Sequence, residues 1–218
     1  MVTIAILIIT CAVSLIYMQN QEFRNRYMFN AYAIYHRREW QRFFTGALLH
    51  ADGIHLLFNM MALYSFGRMV EDTFRGQTDI NFVLLDGHEL FGPKLGSFMF
   101  ALMYVTAIPL SSLFSFFRHK NDPYYNALGA SGAVSAVVYT AILLYPTGTV
   151  SFFFIPMRSW VFGGLYLLVS WILARRNVGN IGHDAHFFGS VYGLIFPLIF
   201  FPFLAEKCIT RILDSFAA

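Results

Sequence analysis

Charged side chains are scarce in this chain: aspartate, glutamate, lysine and arginine make up 12% of its 218 residues, against 57% hydrophobic. With a mean hydropathy of +0.57, that composition excludes a water-solvated globular domain and points to a chain solvated by lipid. A net charge of only +3 gives no ground for a nucleic-acid partner. Cysteine is also rare. Cys11 and Cys208 stand in the first apolar run and just past the last, a poor disulfide framework, so both read as packing residues. No stretch reads His-Glu-x-x-His and no apolar run carries paired aspartates, so neither a zinc-dependent nor an aspartyl route to peptide hydrolysis finds its motif here.

The apolar runs are long and lack the period-two alternation of barrel strands, so they predict membrane helices. Six spans are expected, at residues 2–18, 53–70, 97–117, 127–145, 158–174 and 185–204, in a single domain over residues 1–218. The fold class is therefore an all-α membrane protein, a six-transmembrane-helix bundle. The first run lacks a basic leader and a small-x-small cleavage site, so it reads as a retained span. Asp52 is placed to cap the second span, Pro109 to kink the third and Pro146 to stop the fourth. Residues 19–52 interleave five arginines with tyrosines, phenylalanines and Trp40, a mixture suited to the headgroup layer, and predict a half-sunk interfacial segment. Phe82–Leu85 is apolar but too short to cross, and the aromatic stretch Phe152–Phe154 is assigned only to the interface.

Polar side chains inside such spans are costly unless they face a partner or a water cavity. Ser131 opens the fourth run, held between Gly129 and Gly132. Alone, it reads first as a hydroxyl bonded back to its own helix. His55 and Asn59 are four apart and share one face of the second span, where interhelical hydrogen bonding is as good a reading as catalysis. His186 enters the sixth run beside small residues recurring at Ala185, Gly189 and Gly193, and the fourth run has its own small face at Gly132 and Ala136. If those faces pack together, His186 is brought beside Ser131, as a serine–histidine proton transfer requires.

The set Trp40-Gln-Arg42, His50-x4-His55-x3-Asn59, Gly67-x3-Glu71, Gly129-Ala-Ser131-Gly132 and Ala185-His186-x2-Gly189-x3-Gly193 resembles the rhomboid intramembrane serine proteases, specifically the compact six-span bacterial form. Each motif is weak by itself; their order on separate spans is specific. The resemblance implies a rhomboid-like bundle in which Ser131 is the nucleophile and His186 the general base, a dyad without a carboxylate. It further implies an oxyanion hole from His55, Asn59 and the Ser131 backbone N–H, with His50, Glu71, Arg42, Trp40, Gly129, Gly132, Gly189 and Gly193 as structural support. His50 would also support a site that retains water. No metal and no cofactor are implied. The implied partners are the lipid bilayer and membrane-protein substrates cut in or near a transmembrane segment, reached laterally past the fifth span and Trp171. The implied setting is a bacterial inner membrane with cytoplasmic termini, although the loops this places outside hold nine lysines and arginines against six inside, which opposes the positive-inside rule.

One position departs from the family. Where better-studied members carry a tyrosine that stacks on the histidine, four residues after the nucleophile, this chain has Ser135, so Tyr139, Tyr192 or a phenylalanine is expected to position His186. A Ser–His–Asp triad through His183 or His186 and Asp184 is the weaker rival. Two other classes stay open: a catalytically inactive rhomboid-like binder, and a small metal or proton transporter whose histidines line a path.

Overall fold

The computed structural model describes residues 1–77, 90–152, 155–176 and 182–217. Helices dominate: α1 (Val2–Tyr17), α2 (Gln21–Tyr27), α3 (Ala31–Arg37), α4 (Arg42–Thr45), α5 (Gly53–Phe74), α6 (Gly92–His119), α7 (Ser131–Leu144), α8 (Ser159–Arg176), α9 (His183–Phe200) and α10 (Phe203–Ala217). Strands β1 (Phe29–Asn30) and β2 (Asn126–Ala127) pair antiparallel, as do β3 (Thr149–Phe152) and β4 (Ile155–Arg158).

Each expected span contains a helix, but length and apolarity are met unequally. Among the described residues one helix, Gly92–His119, is long and apolar enough to cross a bilayer alone, or two if the bent pair α9 and α10 counts as one span. α7 has 14 residues and so spans ~21 Å, short of the ~30 Å of a hydrocarbon core. It has no need to meet lipid: Gly132 to Leu144 are all buried, with α5, α6 and α9 packed around it. α1 turns the soluble pattern inside out. Its buried positions are Thr3, Thr10 and Ser14, on one face, while Ile8, Ile9, Leu15 and Ile16 are exposed. That arrangement suits a helix with lipid outside and polar contacts inside, where Thr3 bonds Glu71 and Ser14 bonds Leu48 and His50.

Several boundaries move for identifiable reasons. The fourth span was expected from residue 127 and begins at Ser131, because Asn126 and Ala127 pair with β1 and Gly129 holds a φ of +118° that no helix tolerates. The sixth was expected to reach 204 and ends at Phe200. Pro202 follows, and the chain bends by 117° into α10, a helix the sequence reading did not anticipate. α6 runs through Pro109 as a single helix. The expected interfacial segment, 19–52, is a folded unit: Phe29, Ala31, Ile34 and Phe43 form a small core with Phe116 of α6. Trp40 lies over it, half exposed, with its ring 6.4 Å from Phe43 and 6.1 Å from Phe116. Arg42 threads it, donating to the carbonyls of Asn25 at 3.0 Å and Met28 at 2.9 Å and pairing with Glu39. Phe82–Leu85 and residues 153–154 lie outside the described residues, although Phe152 itself belongs to the β3–β4 hairpin.

Two contacts fix the bundle. Glu71, fully buried on α5, accepts from the backbone N–H groups of Val2 and Thr3 at 2.8 and 2.9 Å, from Thr3 Oγ1 at 2.8 Å and from Ser97 Oγ at 3.0 Å. A carboxylate from another helix thus caps the positive end of α1 and ties it to α5 and α6. The second contact is backbone against backbone. A Cβ at Gly189 would lie 2.1 Å from the Gly132 carbonyl oxygen, and one at Gly193 2.1 Å from that of Ala136, so α7 and α9 touch where no side chain intervenes.

Gly189→Ala should therefore lower thermal stability in detergent by ~1–3 kcal/mol, the usual cost of overpacking. Gly164→Ala, on α8 with nothing within 4 Å of the added carbon, should leave the unfolding temperature near that of the wild type. Equal effects at the two sites would contradict the close α7–α9 contact.

Candidate active site

α7 begins at Ser131 with no side-chain cap at Ala130. The first backbone N–H groups of a helix have no carbonyl behind them, so those of Ser131, Gly132 and Ala133 project from the positive end of α7, and the first in-helix bond here is Val134 N to Ala130 O at 2.9 Å. The loop leading in is braced from two sides. Gly129 N donates to Gly46 O at 3.0 Å, and the His55 ring lies against Gly129 so closely that a Cβ there would stand 2.8 Å from His55 Cε1.

His186 sits in the first turn of α9, three residues before Gly189. With Gly189 seated on Gly132, its Nε2 comes 2.7 Å from Ser131 Oγ. That is hydrogen-bond distance between side chains 55 positions apart. For Nε2 to take the hydroxyl proton, the neutral ring must carry its own proton on Nδ1. His55 and Asn59 lie one turn apart on α5. The Asp52 carboxylate caps that helix by accepting from His55 N at 2.8 Å, and Asn59 Nδ2 donates to His55 O at 2.9 Å, which leaves the amide's second hydrogen for another acceptor. A small recess, continuous with solvent, opens beside Ser131 and is lined by Gly46, Ser111, Ser112, Gly132 and Ala185 among others.

His50 is 1% exposed and reaches the same loop from beneath. Ser14 Oγ donates to Leu48 O at 2.8 Å, so at the 2.9 Å contact with His50 Nδ1 it is the ring that donates. Nε2 is then bare and accepts, at a long 3.5 Å, from the Ala130 N–H, next to the candidate nucleophile. A second ring proton would point at that N–H. Burial, reinforced by the neighbouring His55 and only partly offset by Asp52, pushes the His50 imidazole down to about 4.

The sequence reading missed two contributors, Tyr166 and Ser14, and gave a third, Asp184, another role. The aromatic ring beside His186 is neither Tyr139, whose hydroxyl donates to Gly163 O, nor Tyr192, whose hydroxyl lies 2.6 Å from Thr106 Oγ1. Among the described residues it is Tyr166 on α8, with ring centroids 6.2 Å apart and planes at 29°. Asp184, the acid of the rival triad, faces Arg118 at 3.9 Å and Ser115 Oγ at 3.5 Å, tying the start of α9 to the end of α6. Ser14, the partner of His50, is one hydroxyl in an apolar run, and the signal for it was that such a group in a span needs an acceptor.

A family model described as the Rhomboid domain matches residues 37–203. RHOMBOID-like protein 12, mitochondrial, of Arabidopsis thaliana is similar to this chain, with 30% identity over 154 residues, which is 69% of this chain and 44% of that protein. The chain thus spans less than half the length of the curated relative it matches.

The depressed His50 value has a signed consequence. The unfolded imidazole, at an ordinary 6.5, binds a proton that the folded one refuses until about pH 4. The His50 contribution to stability is full above pH 6.5, falls by ~3 kcal/mol as pH drops from 6.5 to 4, and is gone below that. Urea or thermal unfolding across pH 4–8 should show this slope, and His50→Asn, which keeps a donor near the Nδ1 position but cannot titrate, should be less stable at pH 7.5 yet flatten it. An unchanged slope in the variant would remove His50 as its source.

Proposed function

The chain belongs to the rhomboid family and is a membrane protein, and from that premise we propose that it is an intramembrane serine endopeptidase that cleaves membrane-protein substrates in or near a transmembrane segment. The observation that carries this reading is the 2.7 Å approach of Ser131 Oγ to His186 Nε2 at the open end of a buried helix. Ser131 Oγ attacks the scissile carbonyl carbon while His186 Nε2 takes its proton. The oxygen of the tetrahedral intermediate faces the Ser131 N–H, with Asn59 and His55 as further donors. His186 then returns the proton to the leaving amine, and an acyl group remains on Ser131. A water from the adjoining cavity, deprotonated by His186, attacks the acyl carbon, and collapse of that intermediate frees Ser131 with its proton restored.

The six apolar helices α1, α5, α6, α7, α8 and α9 are the spans of this single domain, with α7 shielded from lipid by its neighbours. Substrate reaches the site laterally past α8, where Leu165, Leu168, Val169 and Trp171 are exposed. The two ends of the bundle differ in role. Glu71, against Val2 and Thr3, lies 16 residues along α5 from His55, or ~24 Å, so the Met1 end and the Ser131 end face opposite sides of the bilayer. Cytoplasmic termini place Ser131 toward the outer face. A bacterial inner membrane is the proposed setting, and the mitochondrial address of the Arabidopsis relative makes an organelle membrane the second one.

Purified protein in detergent should cleave a model transmembrane substrate and take a fluorophosphonate label. Ser131→Ala should lose both, His186→Ala should lose cleavage, and Asn59→Ala should lower kcat by ~10²–10³ with the fold intact. Labelling without cleavage would mean the wrong substrate. Neither activity in folded wild type, against several substrates, would favour the binder or transporter reading, and transport that tolerates Ser131→Ala but not His55→Ala would favour the transporter.

A further inference from the structure

One turn beyond Ser131 on α7, at the position where a side chain could lie against the histidine, stands Ser135, which has no ring to offer. Its hydroxyl is buried and lies 2.9 Å from the hydroxyl of Tyr166. The Tyr166 ring in turn lies against His186. Two further rings flank it: Tyr139, with centroids 6.0 Å away, and Phe162, 5.9 Å away. Tyr166 is thus held at its tip by a hydrogen bond and along its sides by aromatic contacts, with its plane tilted 29° from that of the imidazole.

Resting on the reading of His186 as the general base, we propose that Tyr166 is a positioning residue for His186, anchored by Ser135, so that the Ser131–His186 pair is aligned only while α8 lies against α7 and α9. The physical reason is orientational. The χ2 torsion of a histidine is broad, so an imidazole on the first turn of α9 needs a flat neighbour to keep Nε2 aimed at Ser131. A ring on one side removes half of the rotation, and the Ser135 bond fixes the height of that ring. Ser131, Ser135 and His186 come from α7 and α9, whose contact is rigid; Tyr166 comes from α8. Displacing α8 outward carries the ring off the imidazole and leaves the serine and histidine on their helices without that ring's restraint. Alignment of the pair and the position of α8 are therefore one equilibrium, and a substrate segment inserted beside α8 must leave Tyr166 in place to be cut.

The test uses the full chain in detergent as wild type, Tyr166→Phe, Tyr166→Ala and Ser135→Ala, with Tyr166→Leu standing in if the alanine variant does not fold. Two quantities are measured: the pH profile of fluorophosphonate labelling, and the NMR shift of the His186 ring Cε1–H, assigned through His186→Gln, which the current of a stacked ring displaces. Tyr166→Phe should keep the displaced shift and label at close to the wild-type rate. Tyr166→Ala should lose the shift, label ~10–10²-fold more slowly, as expected for a misplaced catalytic base, and move the acid limb of the profile. Ser135→Ala should fall between them. A Tyr166→Ala or Tyr166→Leu variant that keeps the wild-type shift, or loses it yet labels with the wild-type rate and pH profile, would overturn the proposal. A folded wild type that takes no label while showing the displaced shift sinks the protease reading instead, so the two failures are told apart.

Discussion

The contact on which the rest depends is the glycine-mediated approach of α7 and α9. In water, apolar helices are driven together by burial; in lipid that drive is gone, and helices stay in register only where their surfaces fit. Here the fit is a backbone-on-backbone contact repeated once along each helix, Gly132 against Gly189 and Ala136 against Gly193, with Thr140 Oγ1 donating to Gly193 O at 2.7 Å a turn further on. Two such contacts one turn apart exclude sliding, since a shift of less than a full turn would drive a Cβ into a carbonyl. Ser131 stands one residue before Gly132 and His186 three before Gly189. Once the glycines are seated, both side chains leave their helices at the same height and their 2.7 Å separation follows.

Around that rigid pair, the few buried polar groups act as tethers at the helix ends. Glu71 joins the start of α1 to α5 and α6. Arg42 holds the folded segment between α1 and α5 by two backbone carbonyls. Asp184 with Arg118 pins the start of α9 to the end of α6. Each closes a connection that apolar packing against lipid cannot specify, and each has multiple partners, as a buried charge requires. His50 differs in being neutral. Ser14 sets its tautomer, so α1, far from Ser131 in sequence, reaches the loop before the nucleophile through a single imidazole.

What the sequence disclosed follows from which interactions are periodic. The apolar runs located α1, α5, α6, α7, α8 and α9 because long apolar stretches mark helices in a chain solvated by lipid. The small-residue stripes disclosed the approach of Ser131 to His186 because close helix contact leaves a four-residue signature. Asp52 announced the start of α5 for the local reason that a carboxylate caps three residues ahead. The start of α7 was not legible, since it depends on pairing between β1 and β2, nearly a hundred residues apart. Nor was the end of α9, where continuing hydropathy outweighed Pro202, or the fold of the arginine-rich segment, whose core is completed by Phe116 from another helix. Tyr166 was invisible for the same reason: its link to Ser135 is a pairing of hydroxyls on two apolar helices, and neither helix marks its partner.

The shortness of α7 gives the site its character. A helix of ~21 Å inside a bundle matched to ~30 Å must begin or end below the surface. The start of α7 lines a recess through Ser131, Gly132 and Ala133, so its first N–H groups open there instead of into bulk water. Donors left without a carbonyl in so poorly solvated a place cost free energy, and they are satisfied only by water in the cavity or by an oxygen that carries negative charge. In the proposed protease reaction, the N–H groups that an uncapped helix leaves open are the ones the oxygen of a tetrahedral intermediate would face. A side-chain cap at Ala130 would stabilise the resting protein and occupy the N–H groups that the proposed reaction would use. Alanine at that position, 1% exposed and without an acceptor, leaves them open.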